Sequence, residues 1–250
     1  MSAPQIGTAG EGNRSRIKTY SPEVDDLLGG GFNAGELVEI FGPPGIGKTS
    51  FCARICVLAQ IQGLVPSDSK ALYVTDNSTS TVETLRTIAT EASKLDKGAP
   101  EIVDNALDNI GVVSIQDAAP LLSLPLFLDQ NYLPFHPQTK LIILDNFSSS
   151  LHVRDANGNN TLLSKIGRFL KQLSRIASTY DVPVLAVNSV REDVPSTPIF
   201  GDSFNHIFNR RIEFFFDSNG RRSARLHREK FSHAALIEYP LSVSQTCRNK

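Results

Sequence analysis

The octapeptide GPPGIGKT, Gly42 to Thr49, fits the pattern G-x-x-x-x-G-K-[ST] without a gap. It follows a short apolar run, LVEIF (37–41), and opens a segment from Lys48 to Gln62 that reads as a helix, apolar nearly all round. Strand, glycine loop and helix in that order build an anion cradle. The helix N-terminus leaves amides unpaired and carries partial positive charge, and the loop wraps further amides around a phosphate group. Gly45 and Gly47 let the backbone approach oxygen with no Cβ in the way. Pro43 and Pro44 have no N–H, so the cradle falls to the amides of Gly45, Ile46, Gly47, Lys48, Thr49 and Ser50, with the prolines stiffening the outer half. In such a loop the Lys48 ammonium reaches the β- and γ-phosphates and the Thr49 hydroxyl ligates Mg²⁺. ATP and Mg²⁺ are therefore the expected cofactors, held across Gly42–Ser50.

The rest of the chain supplies the fold such a loop needs. ALYVTD (71–76), IGVVSI (110–115), LIILD (141–145) and VPVLAVN (182–188) are short apolar runs without polar alternation, as in strands covered on both faces. Between them lie helical patterns, STVETLRTIATEASKL and LLSKIGRFLKQLSRIAS. The second puts Ile166, Phe169, Leu170, Leu173, Ile176 and Ala177 on one face. The alternation predicts an α/β fold, a P-loop NTPase core with a mostly parallel twisted sheet and helices on both faces. RRIEFFF, RSARLH and AALIEY read as closing antiparallel strands with a turn at DSNG. An acid at the C-terminal end of a core strand points into the nucleotide crevice, which makes Asp145 the expected partner of Mg²⁺, through water. One stretch resists. AAPLLSLPLFLDQNYLPFHP is apolar but carries four prolines, so a broken helix or packed loop is expected.

Composition narrows the function classes. A 250-residue chain with 40 % hydrophobic and 20 % charged residues suits one core domain. We expect residues 1–17 to form a flexible arm and 18–250 the core. No apolar run in the opening segment reads as a signal peptide, and none later suits a membrane span. Cys52 and Cys56 read as core packing, not redox or metal chemistry, and the scattered histidines give no zinc spacing. Net charge is −1, yet from Ile207 onward nine Lys/Arg face four Asp/Glu. Arg210, Arg211, Arg221, Arg222, Arg225, Arg228 and Lys230 are thus the candidate DNA contacts, against a solvated hairpin or partner-facing edge as the alternative.

Three blocks together carry a resemblance. SPEVDDLLGGGFNAGELVEIFGPPGIGKTSFC, GRFLKQLSRIASTYDVPVLAVNSV and FGDSFNHIFNRRIEFFF…RSARLHREKFSHAALIEYPLSV resemble, in that order, the ATPase core of the RecA-type strand-exchange recombinases of archaea and eukaryotes. GPPGIGKT after LLGGGF is similar to the recombinase paralogues, which assist the recombinase. The resemblance implies a RecA-like fold, ATP binding, a role in homologous recombination and DNA repair, recombinase or paralogue partners in a hetero-complex, DNA as a possible ligand, and a nuclear location. It places the DNA loops at about 150–160 and 191–206.

Three departures qualify it. The family's catalytic glutamate follows the second strand, and YVTDNST puts Asn77 at that place with Asp76 one residue earlier. Adjacent strand side chains face opposite ways, so Asp76 is not a simple substitute, and Asn is a very poor base. The family's Asn-Gln after the fifth strand is Asn188-Ser189, whose serine is too short to sense a γ-phosphate in the same way. Neither the family's N-terminal helical domain nor its Phe-x-x-Ala peg is found here, since FCAR at 51–54 lies inside the helix after the phosphate loop. We therefore expect an ATP-binding mediator with weak hydrolysis. The rivals are an active DNA-dependent ATPase or strand-exchange enzyme, and a RecA-fold scaffold outside DNA repair.

Overall fold

The computed structural model describes residues 16–61, 69–95, 100–151, 160–191, 196–200, 202–227 and 238–240. Strand β1 (Arg16–Ile17) pairs antiparallel with β2 (Phe32–Asn33), and between them helix α1 (Pro22–Leu28) ends at Gly29 in the left-handed conformation. Arg16 and Ile17 thus belong to the fold and not to the arm, because Ile17 is buried opposite Phe32. Then follow β3 (Leu37–Gly42), α2 (Lys48–Ile61), β4 (Lys70–Thr75), α3 (Ser78–Leu95), α4 (Pro100–Asp108) and β5 (Ile110–Ser114). Helix α5 (Ala118–Phe127), β6 (Thr139–Leu144), α6 (Asn160–Tyr180), β7 (Val184–Ser189), β8 (Arg210–Phe216), β9 (Arg222–His227) and β10 (Glu238–Pro240) complete the order.

One eight-stranded sheet runs β10-β9-β8-β3-β7-β6-β4-β5. From β8 to β5 every neighbouring pair is parallel, and β9 and β10 are added antiparallel. The fold is a RecA-like, mostly parallel sheet with antiparallel C-terminal strands. One strand differs from expectation: RRIEFFF is parallel to β3 and turns antiparallel only toward RSARLH.

Successive strand residues enter opposite clusters. Ala71, Tyr73, Leu141, Ile143, Leu185 and Val187 face α2 and its neighbours, whereas Leu72, Val74, Ile142, Leu144, Val184 and Ala186 face α5 and α6. Both faces are covered, which is why the strands show no polar alternation. Helix α2 is buried along Cys52–Ala59 except at Arg54, because it packs on the sheet and also against α3 and α4. The six apolar residues assigned to the inner face of α6 are all buried.

The proline-rich stretch is a correction. Ala118–Tyr132 form one continuous helical segment, with Pro134 and Pro137 in the turns beyond it: α5 contains Pro125 and passes directly into a π-helical turn, Leu128–Tyr132, closed by Leu133 N–H on the Leu128 carbonyl at 2.9 Å. Pro120 sits in the first turn, where a missing N–H costs little. Leu121, Leu124 and Leu128 bury one side of the segment and hold it helical despite Pro125. Among the described residues no helix is long and apolar enough to cross a membrane.

Candidate nucleotide site

The phosphate loop leaves the C-terminal end of β3 in the middle of the sheet. Gly42 is required there by close approach, since a Cβ would stand 2.3 Å from the Phe214 carbonyl oxygen on β8. Gly45 and Gly47 have φ of +76° and +106°, which L side chains rarely adopt. Space around a would-be Cβ on Gly45 is empty to 4 Å, so that side of the cradle is open.

Lys48, the first residue of α2, folds back over the loop and donates to the carbonyls of Gly42 (2.7 Å) and Pro43 (3.0 Å). Burial lowers its pKa to about 8, against the pull of the Asp145 carboxylate. Asp145 follows β6 directly. Its Oδ1 accepts from the Thr49 hydroxyl at 3.1 Å and its Oδ2 from the Tyr73 hydroxyl at 2.9 Å. Burial pushes the carboxyl's pKa up, those two hydrogen bonds pull it down, and the nearby Asp76 charge raises it. A lysine short of counter-charge, a hydroxyl paired with a carboxylate, and an open glycine cradle suit a phosphate group carrying a divalent cation. Gly45–Ser50 and Lys48 would hold the phosphates, and Thr49 and Asp145 the Mg²⁺.

Asp76 and Asn77 part company at the end of β4. The Asp76 carboxylate accepts from Asn146 Nδ2 at 2.8 Å and Ser149 Oγ at 2.9 Å. Asn146 takes φ +56°, a left-handed conformation asparagine tolerates, to make that contact. Asn77 instead caps α3: its Oδ1 accepts Ser80 N–H at 3.2 Å, and its carbonyl accepts Thr81 N–H at 3.1 Å.

Sequence reasoning missed a buried network just before the loop. Glu39 accepts Arg211 Nε at 2.6 Å and Asn188 Nδ2 at 2.8 Å, and Arg211 also meets Asp202 at 3.4 Å. Burial raises the Glu39 pKa, with the Arg211 charge the largest opposing influence. The signal was present, because a glutamate inside the run LVEIF requires a buried partner. Strand register puts Arg211 opposite it. Asn188 therefore serves this network, and Ser189 follows it at the strand end.

Of the C-terminal cations named as candidate DNA contacts, Arg210, Arg211, Arg221 and Arg225 are engaged within the fold. Arg211 is buried on Glu39, and Arg210 is held by Glu36 and by the Leu28 and Gly31 carbonyls. Arg225 pairs with Glu213 and lies over the Phe215 ring, and Arg221 bonds Asp217 in its own turn. Arg222 lies over the phosphate loop, its Nη1 3.7 Å from where a Gly47 Cβ would be. Buried or paired cations complete the fold and are poorly placed to grip a backbone. Arg228 and Lys230 lie outside the described residues, as do 152–159, 192–195 and 201 of the expected DNA loops.

A different basic surface is present. Arg168, Lys171 and Arg175, at helical spacing on the exposed face of α6, line a groove whose other wall is Ser203, Phe204 and His206. No Asp or Glu occurs anywhere in α6. The groove joins the helix after one expected DNA loop to the end of the other.

The family model that matches is Rad51, over residues 13–207. The chain belongs to the Rad51 family. Similar curated relatives include the DNA repair and recombination protein RadA of Cenarchaeum symbiosum, 29 % identical over 224 residues, covering 84 % of this chain and 53 % of that protein. RadA of Metallosphaera sedula is 28 % identical over 223 residues, covering 84 % and 65 %. The chain thus spans about half to two thirds of the length of these relatives. Both are archaeal and lend no support to a nuclear location. Among solved structures, the RadB recombinase matches with a TM-score of 0.69 at 22 % identity, covering 90 % of this chain and 96 % of that one. At that identity the likeness speaks for the fold. This Rad51-family core is therefore RecA-like by direct structural comparison.

Proposed function

We propose that the chain is an ATP- and Mg²⁺-binding recombinase paralogue that assists homologous recombination and DNA repair within a hetero-complex and hydrolyses ATP slowly. One observation carries this reading. The phosphate loop and Asp145 are assembled, joined by the Thr49–Asp145 hydrogen bond, while Asn77, which the resemblance sets at the family's glutamate position, caps α3 with its amide. Lys48 and the loop amides bind and orient the phosphates, and Thr49 and Asp145 position the cation. Bound Mg²⁺ supplies charge neutralisation at the phosphate oxygens. No carboxylate at position 77 takes a proton from water. The repair and recombination role in the names of the RadA relatives supports this reading, and the α6 groove is the surface suited to DNA. Membership of a hetero-complex rests on the resemblance to paralogues.

A second reading has its own observation. Asp76 lies close enough to Asp145 to raise its pKa, so a carboxylate is present beside the magnesium aspartate. If Asp76 serves as the base, the chain is an ordinary ATPase.

Calorimetric titration with Mg·ATP tests the binding claim. Wild type binds saturably, and Lys48→Ala loses about 2–4 kcal/mol, the range for one member of a buried charge-assisted contact. Equal binding by both proteins contradicts the site. Purification at native abundance tests the complex: RecA-fold partners are recovered with the chain, whereas a chain recovered alone contradicts that part.

A further inference from the structure

We infer that Arg222 is an additional phosphate-contacting residue of this site, supplied by the C-terminal hairpin of the same chain. The inference rests on the nucleotide-binding reading above and goes beyond the motif residues that define it.

Strand β8 lies beside β3, and β9 returns antiparallel with Arg222 opposite Phe216. The first residue of β9 is thereby carried back over the loop that leaves β3. The guanidinium sits against Gly47, with Nη1 at 3.7 Å and Cζ at 3.9 Å from the position of a Cβ there. A Cβ at 47 would stand in ordinary van der Waals contact with it, so the guanidinium packs directly against the loop, and glycine is needed there for its φ of +106°.

The electrostatics of this placement are one-sided. The N-terminus of α2, the loop amides, the Lys48 ammonium and the Arg222 guanidinium all bring positive charge to one spot. Asp145, which meets the start of α2 through Thr49, is already engaged by Thr49 and Tyr73. Arg221 and Arg225, its neighbours on the hairpin, have carboxylate partners, whereas the Arg222 side chain has no hydrogen-bond or ion-pair partner among the described residues. Without a carboxylate partner among the described residues and partly buried against a cradle of donors, the guanidinium is stabilised by an anion placed in that cradle. Its planar fork of N–H donors matches two phosphate oxygens at once, a geometry that lysine does not reproduce.

The test is titration of the full chain with Mg·ATP for wild type, Arg222→Ala and Arg222→Lys, together with thermal melts with and without nucleotide. Arg222→Ala is expected to weaken binding about tenfold or more, the size for one charge-assisted contact, and Arg222→Lys to recover part of it. Removing a cation from a cluster of like charge leaves the nucleotide-free melting temperature unchanged or higher, while the increment added by Mg·ATP shrinks. Wild-type affinity in Arg222→Ala overturns the inference. So does weaker binding accompanied by a lowered nucleotide-free melting temperature and no rescue by lysine, which marks a structural role. Failure of wild type itself to bind Mg·ATP defeats the nucleotide reading and this inference with it, and is thereby distinguished from failure of Arg222 alone.

Discussion

Asp76 and Asn77 are adjacent in the chain and have opposite commitments. The Asp76 carboxylate is held by Asn146 and Ser149 on the segment after β6, and the Asn77 amide by Ser80 on the first turn of α3. One side chain is held beside Asp145, whose pKa its charge raises, and the other closes the helix. Asn77→Ala removes a cap, which typically costs about 0.5–2 kcal/mol. Urea denaturation should show that loss, and Asn77→Asp, which also caps, should recover most of it. Equal stability in all three proteins contradicts the capping role.

The pKa of Lys48 sets a pH window. In the folded, nucleotide-free protein it is lowered to about 8 by burial. Below that pH the ammonium is already formed and binding takes up no proton there. Above it, binding a phosphate requires Lys48 to be protonated, so affinity falls by up to about tenfold per pH unit. The stability sign is opposite. The unfolded lysine keeps its proton up to its ordinary value of 10.5 while the folded one has lost it, so between 8 and 10.5 this group raises stability as pH rises. Titrations in buffers of different ionisation enthalpy should show proton uptake on Mg·ATP binding at about pH 9 and little at about pH 7. Equal uptake at both contradicts the assignment.

The Glu39–Arg211 pair is buried on both sides, with side-chain exposures of 3 % and 5 %. Removing one partner leaves a desolvated charge, at a cost of about 3–5 kcal/mol, whereas replacing both with apolar residues costs much less. Arg211→Met should therefore be far less stable than the double variant Glu39→Leu/Arg211→Met in chemical denaturation. A single variant as stable as the double contradicts the pairing.

If the α6 groove is the DNA surface, charge reversal at Arg168, Lys171 and Arg175 should weaken single-stranded DNA binding across all sequences. The logarithmic salt dependence should flatten by about 2, at about 0.7 for each phosphate that these cations no longer neutralise. Arg221→Glu on the hairpin should leave binding unchanged, because that cation is already engaged by Asp217. Fluorescence anisotropy measures both, and the reverse pattern would return DNA to the hairpin.

Much of this architecture is legible in the chain because its causes are local. A glycine loop between an apolar strand and a helix is a short-range pattern, and LIILD ending in Asp145 is another. The apolar stripe of α6 follows from periodicity alone. Legibility fails where the cause is long-range. RRIEFFF reads as a strand, but its parallel pairing with β3 depends on where the chain returns. That same pairing turns Arg211 from a surface cation into the partner of Glu39. In α5 and the turn after it, burial of Leu121, Leu124 and Leu128 outweighs the local preference of Pro125 against helix. Arg222 carries no local mark that separates it from Arg221, and only the hairpin brings it to Gly47.

Single-turnover hydrolysis of ATP by the purified chain bears most directly on the central claim. The account predicts slow hydrolysis by wild type, little change in Asp76→Asn, and a rise in Asn77→Glu. The rise should reach about 10²–10⁴-fold, the usual worth of a positioned general base, with ATP affinity nearly unchanged. Brisk hydrolysis by wild type that Asp76→Asn abolishes and Asn77→Glu does not increase would contradict it and make Asp76 the working carboxylate of an ordinary ATPase.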